Sequence, residues 1–172
     1  NEFFNRGFNW AVENNLLTDY KVVILAVDEN LVNISLQKAF REGSELQLND
    51  ATKIIGVYKA LAKVGLEKKD KLIPVKKALA FSQKIELSEI FEREFTNVIK
   101  EYSLNENIKD KNKVDLNVEV NHIDGSFNAD RRNERLNWLK EDTDDNTCRI
   151  LSNVKCMSEG VDVPSLDAIM FL

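Results

Sequence analysis

Apolar positions along the chain switch between a helical and a strand period, and the switches mark out the elements. Near the start, Phe4, Phe8, Ala11, Val12 and Leu16 recur at helical spacing with Trp10 on the border, which predicts an amphipathic helix within residues 1–17. Lys21–Val27, KVVILAV, is a continuous β-branched run and predicts a buried strand. Leu31–Leu48 is mixed, with Ser35–Arg41 as its helical part. Ile54, Ile55, Tyr58, Leu61 and Ala62 then share one helix face, which Asn49 or Asp50 would cap and Gly65 would end. Pro74 precedes a strand at 75–81, VKKALAF. Leu87, Ile90, Phe91, Phe95, Val98 and Ile99 restore the helical period as far as Tyr102, and Ser103–Lys113 is polar enough for an exposed loop. Val114–Val120 alternates V-D-L-N-V-E-V and predicts a strand within 114–122. Asn128 is placed to cap a helix over Ala129–Lys140 that turns Leu136 and Leu139 inward. After the acidic loop Glu141–Asn146, short apolar runs at 148–151 and 167–172 predict two more strands.

Strands alternating with helices predict an α/β domain, with a mostly parallel sheet and helices on both faces. In such a sheet ligands bind outside the carboxyl ends of the strands. Three loops therefore become candidate sites and are predicted to converge on one edge. They are Ser82–Gln83, the Asp124-Gly125 turn, and the polar stretch Asn153–Ser158 with Gly160 and Asp162 beyond it. Ser82 and Gln83 stand where a strand passes into a helix, and the free amides of a helix N-terminus suit a phosphate, although a serine there also serves as a plain cap.

Composition narrows the chemistry. A 172-residue chain that is 43% apolar is long enough for one domain with a real core. No apolar run reaches the roughly 20 residues needed to span a bilayer, and the first twenty residues lack the apolar core of a secretion signal. The start at Asn1 and the end on a strand-like MFL suggest a piece of something longer. Cys148 and Cys156 make no disulfide framework, and two Cys with one His are too few for the usual four-ligand zinc site. A net charge of −5 argues against a dedicated nucleic-acid clamp but leaves local phosphate contacts open. Lys68, Lys69, Lys71, Lys76 and Lys77 read as a solvated loop and strand entry. Asp28-Glu29 after an apolar run imitates a magnesium-holding strand end, yet no phosphate loop of the form G-x-x-x-x-G-K-[ST] exists to support it. His122 and Asp124 alternate and so point one way, a spacing open to metal binding or base chemistry but more often structural. Arg131, Arg132 and Arg135 read as a solvated helix face with Asp130 and Glu134 as partners.

The motifs carry a family resemblance. SEGVDVP at Ser158–Pro164 resembles motif V of superfamily-two helicases and translocases, whose two motor halves are RecA-like α/β domains. ALAFSQKIELSEIF at Ala78–Phe91 resembles motif IV, and HIDGSFNADRRNERLNWLK at His122–Lys140 resembles the strand-turn-helix that follows it. FNWAVENNLLTDYKVVILAVDE at Phe8–Glu29 and NDATKIIGVYKALAK at Asn49–Lys63 are similar to the predicted helicases of single-chain (type ISP) restriction-modification enzymes.

The resemblance implies that residues 1–20 are a leading helix and linker from the first motor half. Residues 21–172 would then be the second RecA-like domain, ending before the arginine motif. It implies that Ser82, Gln83, Gly125, Asn153, Lys155 and Ser158 touch the DNA backbone. Gly160 and Asp162 would face ATP, with Mg2+, in the complete motor. The partners implied are DNA and the first RecA-like domain, in the cytoplasm. Enzymatic activity is expected of the whole motor; the chain alone, without the phosphate loop and the arginine motif, is expected to lack ATPase activity. The alternative is a stand-alone nucleic-acid-binding or protein-interaction module without motor activity. A small signalling domain with Asp28 as acceptor acid leaves the Gly160–Pro164 loop without a purpose.

Overall fold

A computed structural model of the chain describes residues 6–19, 22–24, 48–63, 74–105, 116–154 and 166–172. The elements in order are α1 (Phe8–Glu13), α2 (Leu48–Leu61), β1 (Lys77–Phe81), α3 (Ile85–Asn105), β2 (Asn117–Ile123), α4 (Ala129–Lys140), β3 (Thr147–Asn153) and β4 (Ala168–Phe171). The strands form one parallel sheet in the order β2-β3-β1-β4. This is the predicted α/β architecture, with helices on both faces.

Strand alternation decides what each face buries. Ala78, Ala80, Cys148, Ile150 and Val118 point to one face. There they meet Ile54, Ile55 and Tyr58 of α2 and Phe91, Phe95 and Val98 of α3 in the larger core. Phe91 and Phe95 pack edge to face, with ring centroids 5.1 Å apart. The opposite face buries Leu79, Leu151 and Ile123 with Phe127 and Leu139, under α4. Along β4 the Phe171 ring stacks on Phe81 at 5.6 Å.

Local chemistry sets the helix ends. The Asn128 side chain accepts a hydrogen bond from the Arg131 N–H at 2.9 Å, and α4 starts and stops where the sequence predicts. Helix α2 begins one residue before Asn49, so Asn49 and Asp50 lie in its first turn rather than at a cap. It is followed by Lys63 at φ 54°, so a lysine takes the left-handed position. Helix α3 runs through Asn105, past the start of the predicted loop.

A helix stands within residues 1–17 at Phe8–Glu13; none of its six residues is buried, and Phe8, Leu16 and Leu17 are exposed. The strand expected after it is corrected over its described residues. Of the predicted strand at 21–27, the described residues Val22, Val23 and Ile24 belong to no strand and are exposed. β-branched composition favours a pleated conformation, but a strand exists only where a neighbour supplies its ladder. Lys21, Leu25–Val27, Asp28, Glu29, the helical candidate Ser35–Arg41 and Gly65 lie outside the described residues.

Charged residues gather at the amino end of the sheet. Lys77, Arg149 and Glu119 occupy one register row across β1, β3 and β2. Arg149 donates to Glu119 (3.0 Å), Glu141 (3.1 Å) and the Trp138 carbonyl (2.6 Å), with its guanidinium over the Trp138 ring. Buried Lys77 donates to the Lys140 carbonyl at 2.6 Å, which satisfies a backbone acceptor at the end of α4. Lys76 pairs with Asp145 at 2.6 Å. Of the two described members of the predicted basic cluster, Lys76 forms a solvent-facing pair at the strand entry, as expected, whereas Lys77 is buried; Lys68, Lys69 and Lys71 lie outside the described residues.

Candidate nucleic-acid interface

The register that aligns the strands also ends them together. Ile123, Asn153, Phe81 and Phe171 stand in one row across the sheet, at the carboxyl ends of β2, β3, β1 and β4. The Ser82 N–H donates to the Asn153 carbonyl at 2.9 Å, which extends the ladder one step beyond β1. The segments that follow are Ser82–Lys84, Asp124–Phe127 and the residues after Asn153, and all leave from this edge. Convergence of Ser82, Gly125 and Asn153 on one side of the sheet is therefore a property of the fold. Lys155, Ser158, Gly160 and Asp162 lie outside the described residues.

The four described candidates differ in what they present. Gln83 and Gly125 are exposed, whereas Ser82 and Asn153 are buried. Gln83 and Lys84 open into the first turn of α3, where the amides of a helix start have no intrahelical acceptor. At Gly125 an added Cβ would meet nothing within 4 Å, so the turn does not require glycine. What glycine leaves there is open access to the main chain. Arg132 braces this turn by donating to the carbonyls of Phe127 (2.8 Å) and Gly125 (3.5 Å). Arg131 lies over the Phe127 ring, 3.9 Å from its centroid. Arg135 pairs with Asn121 and, at 3.9 Å, with Glu92. Asn121 and Glu92, rather than Asp130 or Glu134, are thus its partners.

Behind the edge runs a buried polar chain that sequence reasoning only half located. Ser82 Oγ lies 3.4 Å from Ser152 Oγ, Ser152 Oγ 2.6 Å from Ser88 Oγ, Ser88 Oγ 2.7 Å from His122 Nδ1, and His122 Nε2 2.8 Å from Asp124 Oδ2. The other Asp124 oxygen accepts from the Ser126 N–H at 2.6 Å. The Ser126 hydroxyl, then its N–H, and after them His122 hold the Asp124 carboxyl down at about 2 against the opposing effect of burial. Asp124 is therefore ionised at neutral pH. The His122 N–H, on the outer side of edge strand β2, donates to Glu92 at 3.0 Å. Ser88 was missed by sequence reasoning, and Ser152, whose position reads as the start of the polar loop, lies buried inside β3; each interrupts an apolar stripe on the face that packs into the core. Ser88 precedes Phe91 and Phe95 at helical spacing, and Ser152 follows Cys148 and Ile150 at strand spacing.

A serine, a histidine and an aspartate in line resemble a hydrolytic triad in composition only. Ser88 is fully buried, and His122 and Asp124 are each 3% exposed, so no substrate carbonyl reaches the hydroxyl. Glu89, His122 and Asp124 bring three ligand atoms within 4.8 Å of one another. In the arrangement as it stands, His122 Nε2 and Asp124 are instead bonded to each other. Burial pushes the Cys148 thiol up to about 12, so it is an inert core residue. No described helix is long and apolar enough to cross a membrane.

A parallel sheet with coterminal strands, helices on both faces and polar loops along the carboxyl edge is an open α/β architecture, the class to which RecA-like domains belong. The family model of the helicase conserved C-terminal domain matches residues 58–172, and the chain belongs to that family. A comparison with curated protein sequences gives no match. Among solved structures, the chain is similar to the ATP-dependent Type ISP restriction-modification enzyme LlaBIII bound to DNA. The TM-score is 0.82 and the identity 32%, over 98% of this chain. The chain spans 11% of that enzyme's length.

Proposed function

We propose that this chain is the second RecA-like half of an ATP-dependent DNA translocase of a bacterial restriction-modification system, working in the cytoplasm. The observation that carries the reading is the coterminal edge: three loops leave one side of the sheet with exposed Gln83 and Gly125 on it. The similarity to an enzyme whose structure holds DNA supports it. Gln83, Gly125, Lys155 and Ser158 would contact the DNA backbone, with Ser82 and Asn153 forming the wall behind them. Such contacts go to phosphate and sugar, so they position DNA without reading its sequence.

In the complete motor, Gly160 and Asp162 would face ATP and its Mg2+ across a cleft closed by the first RecA-like domain. ATP hydrolysis supplies the free energy of movement there; this chain's share is to hold one stretch of backbone while the cleft opens and closes.

Binding of a fluorescent single-stranded oligonucleotide tests the reading. Gln83→Glu and Gly125→Asp each put a negative charge on one exposed arm of the edge without touching the core. Both should weaken binding, and the wild-type affinity should fall steeply with salt. Unchanged binding in both variants at every salt concentration would refute the interface and favour a module that works through protein contacts.

A further inference from the structure

We propose that His122 is a positioning residue that locks the two arms of the DNA-facing edge, Gln83–Lys84 and Asp124–Gly125, into one unit. The inference rests on the interface reading above and adds a coupling to it.

The hydrogen positions can be worked out from one fixed end. Asp124 is ionised and can only accept, so His122 Nε2, at 2.8 Å from it, must carry a proton. In the neutral ring Nδ1 is then bare and accepts from the Ser88 hydroxyl at 2.7 Å. Ser88 has a single hydroxyl hydrogen, so its bond with Ser152 at 2.6 Å must be donated by Ser152. Ser82, at 3.4 Å from Ser152, is the outermost donor. Every hydroxyl thus points the same way, from the end of β1 through the first turn of α3 to the turn after β2. Bonds aligned head to tail in a water-free interior reinforce one another. Ser88, His122, Asp124 and Ser152 are each 3% exposed or less, so no solvent replaces a missing link.

The imidazole is the one member of the chain that contacts both arms. Ser88 sits one helical turn beyond Lys84, whose carbonyl accepts the Ser88 N–H at 3.2 Å. Asp124 holds the Ser126 N–H and so sets the main chain around Gly125. Glu92, one turn beyond Ser88 along α3, also ties to this end of β2 by accepting the His122 N–H at 3.0 Å, but through the main chain, so the ring remains the link that reaches both Ser88 and Asp124. A side chain that satisfies Ser88 alone, or Asp124 alone, keeps one arm in place and lets the other relax.

The chain holds a single histidine, so its ring nitrogens give unambiguous NMR signals. With 15N-labelled protein at a pH where the ring is neutral, Nε2 should appear protonated and Nδ1 bare, without DNA present. The opposite tautomer would overturn the proposal. Two half-mimics test the coupling. The His122→Asn amide reaches where Nδ1 was and keeps Ser88, while the His122→Gln amide reaches where Nε2 was and keeps Asp124.

Each half-mimic should weaken single-stranded DNA binding about three- to tenfold, as should His122→Phe, the scale of one net hydrogen bond. Amide hydrogen exchange should accelerate at Gln83–Ser88 and Asp124–Phe127 while α2 stays protected, whereas a merely structural loss would speed exchange everywhere. Wild-type affinity in either half-mimic, or uniform acceleration across the domain, would overturn the coupling. If wild type itself ignores DNA, the interface reading fails, while the tautomer and the local exchange pattern still judge the link.

Discussion

Replacing Asn153 by leucine and by aspartate should move stability in opposite directions. The Asn153 amide group donates to the Ala80 carbonyl at 3.0 Å, which fixes which end is nitrogen. Its Oδ1 is buried and has no hydrogen-bond partner among the described residues. Leucine has a similar branched shape. It forfeits the Ala80 bond, a net loss of about 0.5–1.5 kcal/mol, but removes an orphaned acceptor whose burial costs about 1–3 kcal/mol. The outcome should run from neutral to a gain of about 2 kcal/mol. Aspartate keeps the orphan, turns a second acceptor on the Ala80 carbonyl and buries a charge, a loss of about 3–5 kcal/mol unless the carboxyl takes up a proton. Urea unfolding at neutral pH reads both values from the midpoint, provided the slope m is unchanged. If the leucine variant is less stable than wild type by more than about 2 kcal/mol, Oδ1 has a donor after all and the accounting is refuted. The same pair bears on function. Phosphate oxygens only accept, so Oδ1 has nothing to offer a DNA backbone. Asn153→Leu should therefore bind single-stranded DNA like wild type.

Phe95→Ala should cost about 3–5 kcal/mol, because the ring is fully buried and packs on Phe91; the midpoint of urea unfolding reports it. Arg149→Ala releases Glu119, Glu141 and the Trp138 carbonyl, and should cost about 1–3 kcal/mol with faster amide exchange in the last turn of α4. For Asp124 the folded value, about 2, lies below the ordinary 3.8. Its contribution is therefore fully present above 3.8 and lost as pH falls from there toward about 2. That contribution is on the order of 1–2 kcal/mol, and acid titrations of stability should be flatter for Asp124→Asn across this window.

What could be read from sequence depended on whether the deciding interaction was local. Asn128 caps the helix three residues ahead of the amide it satisfies, so both ends of α4 were legible in advance. The sheet strands were placed to within about three residues because turn residues bound the apolar runs on both sides. Of the run at 21–27 only Val22–Ile24 are described, and they stand in no strand despite their β-branched composition, because strand formation depends on a partner that composition does not name. At the edge, the positions of Ser82, Gln83, Gly125 and Asn153 followed from parallel topology. Their division into exposed contacts and buried wall did not, because burial is decided by α3 and by the neighbouring strands. His122 and Asp124 were visible as a pair. Ser88 and Ser152 come from elements remote in sequence, and the clue to them was a hydroxyl on each of two apolar stripes.

The two ends of this sheet handle charge in different ways, and the difference favours a role at the carboxyl edge. At the amino end, Lys76, Lys77, Arg149, Glu119, Glu141 and Asp145 are consumed in ion pairs and carbonyl contacts. Asp167 adds to this end by accepting from the N–H groups of Lys76 and Lys77. These groups hold α4 and the strand starts in place, and each cation among them already has an acceptor. At the carboxyl end the polar core is made of hydroxyls and one imidazole, and its single ionised group, Asp124, is buried and fully bonded. A protein with a net charge of −5 repels a polyanion at long range. Within a Debye length of about 8 Å, however, only the local groups count. The buried carboxylate at this edge is held by donors, and Gln83, Lys84 and the Gly125 main chain are exposed there beside the carboxylates of Glu86 and Glu89, so a phosphate backbone has an approach along the two loops rather than along the face of α3. It follows that adding charge at the edge should alter DNA binding far more than adding the same charge beside Arg149.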